Sequence, residues 1–369
     1  MEQYTRFSEH ASLALIAEWS TSNRLWEELQ VRVHIRQKTI KHSPSDKLKD
    51  VLINIWAGGE RISSINNLLR TDEGLQRLFG RVYASQYDEI VHEQLYPGKT
   101  QLEASLLELV EMVGEVLDSN ENHRKRTILR VDGGGGTDKN IDQLLLDLYW
   151  LLIKVKNWQR TQKLVKTVKV WHSLPELPGH EVGWVEIPHE YAKTTRQLAI
   201  RWPKEKGGFH YCVLVFNLTD LMIFQLAGLL MPRHLTEQDL FSAILKAYNL
   251  RSGGVETSIK NSKQGLGLNK RNKKRFHAQH LLLLLAQLAY NIAVWVRNEL
   301  KKCSTLIASF GMVRLIRDAF HISGQVQFDE RGQVNLIILN QTHKLARAFQ
   351  HTWQTCFARN DLSLILGKI

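Results

Sequence analysis

The chain has 369 residues, with 49 Lys and Arg against 37 Asp and Glu, a formal charge of +12 and a pI near 9.5. That balance favours a polyanionic partner and speaks to association rather than fold, while 43% hydrophobic residues suffice for a large core in about two or three domains. Cys212, Cys303 and Cys356 are odd in number and far apart, which excludes a readable disulfide framework or cysteine zinc site and points to a reducing cytoplasm.

In chain order, MEQYTRFSEH lacks the basic-then-apolar order of a secretion signal. Residues 12 to 80 read as several helices. SPSDKLKDVLINIWAGG offers Ser45 as an N-cap, apolar Leu48, Val51, Leu52 and Ile55 at helical spacing, and Gly58-Gly59 as a stop. From Val82 to Tyr96 the alternation of EIVHEQLY predicts a strand, closed by Pro97-Gly98. An amphipathic helix, Gln101 to Leu117, precedes a short apolar strand, Thr127 to Val131. A glycine-rich turn, a helix from Asp138 to Leu148 and a strand from Tyr149 to Val155 follow. This alternation is an α/β pattern that suits a mostly parallel sheet.

Between 165 and 216 the texture turns all-β: VKTVKVWH, EVGWVEIP, TTRQLAIRW and FHYCVLVF predict four strands in a separate inserted module. Helices return from Leu235. Leu281 to Val296 is membrane-like in composition but falls short of the ~20 residues a span needs and carries Gln287 and Asn291. It reads as a helix buried inside a domain. His321 to Leu339 predicts a hairpin turning at Arg331-Gly332, followed by a helix from Gln341 to about Phe357.

The chemistry concentrates in two places. Asp132 stands at the carboxyl end of the strand TILRV, where open α/β sheets place ligands and reacting groups. The four glycines 133 to 136 allow a sharp exit and close approach, yet GGGGTDKN lacks the endings of a phosphate loop. The run YNLRSGGVETSIKNSK sets Glu256 among Tyr248, Arg251 and Lys263 at the start of a basic helix, where Glu256, Lys260 and Lys263 share a face. With Lys270, Arg271, Lys273, Lys274 and Arg275, seven basic residues meet one acidic one from 256 to 275, the footprint of a phosphate-binding surface. His277 and His280, three apart on a helix, lack a third metal ligand in the sequence.

These residues in combination resemble the DDE transposases of bacterial insertion sequences, in the branch with a Tyr-Arg-Glu-Lys signature. The resemblance covers nearly the whole chain and is most specific over RTILRVDGGGGTDKNIDQLL, RVYASQYDEIVHEQLYPGKTQ and RSGGVETSIKNSKQGLGLNKRNKKRFHAQ. It implies an α/β fold with an incomplete RNase H-like, retroviral-integrase-like catalytic core. A helical DNA-binding region at 1–81, a first core part at 82–160, an inserted β-rich domain at 161–220 and a second core part at 221–369 follow from it. It implies Asp132 and Glu256 as catalytic residues and ligands of Mg²⁺ or Mn²⁺. Tyr248, Arg251 and Lys263 become the rest of the signature, with Lys260, Lys270, Arg271, Lys273, Lys274 and Arg275 on the DNA.

The implied partners are double-stranded DNA, as element terminal repeats and target, and a second copy of the chain in a synaptic complex, in the cytoplasm at the bacterial nucleoid and with no membrane. Two departures are visible. SGGV puts four residues between Arg251 and Glu256 where the broad pattern has three. The segments resembling EGLQRLFGR and RVYASQYDEI run directly together at Gly80-Arg81, so the first core strand and its catalytic aspartate are missing. Asp88 and Glu89 are the nearest upstream acids, but belong by the resemblance to the following segment. Loss of that aspartate implies impaired cleavage and strand transfer, or a non-catalytic remnant that binds transposon ends.

Overall fold

A computed structural model describes residues 4–8, 10–33, 43–57, 79–96, 100–264, 266, 275–331, 333–357 and 362–368. The chain is mixed α/β and divides into two compact units: Met1–Gly74 with Gln86–Ile90 and Ser258–Ile369, and Leu75–Ser85 with Val91–Thr257. The amino-terminal helices thus share a unit with the carboxyl-terminal third.

In the first unit, β1 (Tyr4–Ser8) leads into α1 (Ala11–Ser22), α2 (Leu25–Arg32) and α3 (Pro44–Trp56). The helical reading of 12–80 holds over the described residues 12–33 and 43–57, while 79–80 open a strand; α3 begins at Pro44, so Ser45 lies in its first turn and is buried. Proline suits that opening position because its missing N–H would have no helical partner there. Gly58-Gly59 lies outside the described residues.

The second unit carries β2 (Phe79–Ala84) and β3 (Glu89–Leu95), the latter crossing the boundary between units, then α4 (Leu102–Val116) and α5 (Glu121–Arg124). Next come β4 (Ile128–Val131), α6 (Asp138–Leu146), β5 (Trp150–Lys154) and α7 (Trp158–Val165). After these lie β6 (His172–Ser173), β7 (Glu181–Trp184), β8 (Arg196–Pro203), β9 (Phe209–Phe216) and α8 (Asp220–Leu226). Six strands form one sheet in the order β4-β5-β9-β8-β7-β6, while β2 and β3 form a separate pair. Among the described residues β4 pairs only with β5, and β2 only with β3.

Three expectations are corrected here. In the six-stranded sheet only β4 and β5 run parallel, and its remaining pairings are antiparallel. The β-rich stretch is not a separate module, because β9 hydrogen-bonds to β5 and continues the same sheet. Its apolar run dictates this: Val213 and Val215 pack with α4, α6 and α7 on one face, whereas Leu214 and Phe216 pack with α8 and the next helix on the other. A strand buried on both faces belongs inside a layered sheet rather than on a half-exposed appendage. The first predicted β strand, 165–172, shrinks to His172–Ser173. Asn157 caps α7 by accepting the Arg160 N–H at 3.0 Å, and the helix runs to Val165.

Two long helices follow, α9 (Glu237–Gln264) and α10 (Phe276–Cys303). α10 has the length and composition to cross a membrane, with a mean hydropathy of 1.4 and 56% burial in its most apolar window. Its buried side is built into the first unit, as read from the sequence: Trp56 donates its indole N–H to Ala289 O at 3.1 Å. The polar residues within it are spent on the backbone of Ile90, whose N–H donates to Asn291 Oδ1 at 2.9 Å while Asn291 Nδ2 donates to the Ile90 carbonyl at 2.8 Å. The expected hairpin is β10 (Gly324–Phe328) with β11 (Val334–Asn340); its turn residue Gly332 lies outside the described residues. β12 (Ser363–Gly367), like β1, is not foreseen in the sequence, and the two complete a sheet in the order β1-β10-β11-β12. The predicted final helix is a short one, Ala346–Thr352, continuing into a wider π turn at Trp353–Phe357.

Candidate functional site at the end of β4

Asp132 follows β4 directly and is half-exposed. Its Oδ1 accepts the Gly134 N–H at 2.9 Å, and the Gly135 N–H donates to its backbone carbonyl at 3.2 Å. That is the turn-capping role an aspartate fills after a strand. Its Oδ2 is left to face Arg251, whose Nη1 lies 3.6 Å away, an ion-pair distance but too long for a hydrogen bond. The glycines beside it serve packing. A Cβ on Gly135 would stand 2.7 Å from Val131 Cγ1, and one on Gly136 would stand 1.9 Å from the Lys154 carbonyl oxygen.

α9 presents the second half of the site. The Arg251 guanidinium lies 4.9 Å from the centre of the Tyr248 ring, over its face. Burial pushes the Tyr248 hydroxyl up to about 12, against the pull of Arg251, so this ring stays neutral at physiological pH. α9 is tied to β4 by Arg130, a residue the sequence reading passed over. Its Nη1 donates to the Ala247 carbonyl at 2.9 Å and its Nη2 to Ser85 Oγ at 2.8 Å. Burial, then repulsion from Arg251, lowers the Arg130 pKa. A lone cation inside the apolar strand TILRV was the available signal.

The structure thus brings Asp132, Tyr248 and Arg251 together. Glu256 is exposed and makes no hydrogen bond or ion pair among the described residues. It lies in the last third of α9, which starts at Glu237 rather than near Glu256 as expected. At 3.6 residues per turn, the five positions from Arg251 to Glu256 rotate its side chain about 140° around the axis from Arg251. On the Arg251 side, Gly254 faces Tyr83, whose ring carbon would lie 2.8 Å from an added Cβ. Lys260 and Lys263, one and two turns beyond Glu256, are exposed, as is Arg275 just before α10. Lys270, Arg271, Lys273 and Lys274 lie outside the described residues.

Asp88 belongs to the first unit, in the turn after β2, where it pairs with Arg297, while Glu89 accepts the Trp295 indole N–H at 2.8 Å. Among the described residues no three His, Cys, Asp or Glu side chains cluster as metal ligands, His277 and His280 included. The chain matches no model of a known protein family and no curated protein. Chemically, the site offers a carboxylate at a strand end beside a stacked guanidinium. The guanidinium suits a phosphate oxygen brought against it.

Proposed function

We propose that the chain is a DNA-binding protein built as an insertion-sequence DDE transposase, with its cleavage and strand-transfer chemistry impaired. The observation that carries this is the meeting of Asp132 with Arg251 and Tyr248, residues chosen from the sequence at positions more than a hundred apart. An RNase H-like core that lacks its central first strand is supported by the topology. The parallel pair β4-β5 ends at the candidate aspartate, and β2 and β4 each keep one edge without a strand among the described residues.

The donor set does not fit a paired magnesium centre. One oxygen of Asp132 is committed to Gly134, the other faces a guanidinium, and Glu256 is turned to another side of its helix. Mg²⁺ wants several hard oxygens in near-octahedral array, more than these side chains offer. What remains is phosphate recognition. Arg251, positioned by Tyr248 and set beside Asp132, is a contact for a backbone phosphate; in the first unit the exposed Lys260, Lys263 and Arg275 offer further phosphate contacts, with Lys270, Arg271, Lys273 and Lys274 lying between them in sequence. The partners are duplex DNA at element ends and a second copy of the chain, at the bacterial nucleoid. A binder at transposon ends without any cleavage is the second reading, favoured by the guanidinium beside Asp132.

The test uses the full chain with duplexes carrying the terminal repeats. Binding is expected to weaken by about 0.9 log units per log unit of salt for each phosphate contacted, and Arg251→Ala is expected to cost about tenfold in affinity. Cleavage with Mg²⁺ or Mn²⁺ is expected to be absent. Salt-indifferent binding would sink the DNA assignment, and vigorous cutting abolished by Asp132→Ala would sink the impairment.

A further inference from the structure

At the opposite end of β4 and β5 from Asp132 lies a cleft of about 550 Å³, lined by Lys125, Leu145, Leu148, Tyr149, Trp150, Lys193, Thr194 and Asn217. Its floor is apolar and fixed. The Trp150 indole donates to the Lys125 carbonyl at 2.7 Å. The Asn217 side chain is held at the start of β5, its Oδ1 accepting the Leu151 N–H at 2.7 Å and its Nδ2 donating to the Tyr149 carbonyl at 3.1 Å. Asn217 therefore shapes the wall.

The mouth, by contrast, holds unspent donors. The Lys193 ammonium and Thr194 hydroxyl make no hydrogen bond or ion pair among the described residues. Arg124, next to Lys125, has its Nε sealed from solvent without a partner. Lys125 is ion-paired with Glu121, and Lys125 first, then Arg124 and Lys193, holds the Glu121 carboxyl below its usual range. Burial raises the Tyr149 hydroxyl, with Arg124 drawing it back and Asp147 adding to the rise.

We infer that this cleft binds a nucleotide-sized anion, a flat ring seated on Leu145, Leu148, Tyr149 and Trp150 with its phosphates toward Lys193, Thr194 and the Arg124–Lys125 pair. The volume falls within the usual span of small-molecule sites, which are mostly apolar with a few convergent polar groups. With Lys125 paired to Glu121, the exposed Lys193 ammonium and the Arg124 guanidinium are the cations left to meet a ligand anion, which a phosphate supplies. A concave apolar floor also favours a ring over a DNA backbone, whose phosphates lie on a convex polar surface.

Calorimetric titration of the full chain with ADP, adenosine, inorganic phosphate and a short duplex decides the matter. ADP is expected to bind saturably, with adenosine and phosphate each at least about tenfold weaker. Lys193→Gln, at an exposed position where folding is not at risk, is expected to weaken ADP by about tenfold, the loss of one charge-assisted hydrogen bond. Thr194→Ala should weaken it by a few fold. Absence of saturable ADP binding, or unchanged affinity in Lys193→Gln, overturns the inference. So does a duplex that displaces ADP and itself weakens in Lys193→Gln, which would make the cleft a DNA contact. Loss of DNA binding in Arg251→Ala leaves this result untouched, since the two sites are at opposite strand ends.

Discussion

Gly136→Ala is expected to destabilise the six-stranded unit by at least about 3 kcal/mol, in the range reserved for severe steric lesions. The added methyl would fall 1.9 Å from the Lys154 carbonyl oxygen and 2.9 Å from its carbon, and backbone cannot swing aside as a side chain can. The loop has no slack to absorb the shift, because the Lys156 N–H donates to Gly136 O at 2.8 Å and ties it to the end of β5. Gly133→Ala is the control. Its methyl would meet only Lys154 side-chain carbons, the nearest at 3.5 Å, and its cost should stay within about 1 kcal/mol. Denaturant midpoints measure both, and equal midpoints for the two variants would refute the close-approach role of Gly136.

The second large effect is expected at the buried pair of Arg81 on β2 and Glu93 on β3, whose side chains are 1% and 0% exposed and in direct contact. Glu93 Oε2 has no partner in that enclosure. Burial pushes the Glu93 carboxyl up to about 7, against the pull of the Arg81 guanidinium. Removing one member strands a charge, so Arg81→Met or Glu93→Leu alone should cost about 3–5 kcal/mol, whereas the double replacement should be close to neutral at pH 8. The pH dependence has a definite sign. Glu93 keeps its proton to higher pH in the folded state than in the unfolded chain, so its contribution is most favourable below about 4.5 and is lost as pH rises to about 7. The denaturant midpoint of the wild type should fall across that window relative to the double variant. Parallel pH profiles for the two would refute the assignment.

The strands nearest the candidate site were legible because their signals are local. TILRV and YWLLIKV are short apolar runs between turn residues, and β4 and β5 fall within a residue or so of the predicted bounds. Asp132 could therefore be placed at a strand end from sequence. β1 and β12 were not legible, since five residues such as YTRFS become a strand only through partners hundreds of positions away, in this case β10. The start of α9 at Glu237 was less legible, because two adjacent glycines lower helix propensity just ahead of Glu256. The helix in fact begins after Thr236, whose hydroxyl and N–H both bond Asp239, at 2.6 and 3.1 Å, and Gly254 is accommodated where Tyr83 packs against it. Charge runs told least: the stripe through Arg275 is plain in sequence, while Arg130, a single cation in an apolar strand, proved to be the tie between β4 and α9.

A residue inserted in a loop changes a length, but one inserted in an unbroken helix changes a bearing. Because α9 runs continuously past Gly253 and Gly254, the extra position in SGGV turns everything downstream by about a quarter of a circle relative to Arg251. Under the function proposed above, a phosphate held at Arg251 beside Asp132 and a ligand at Glu256 would therefore be met from different directions around α9.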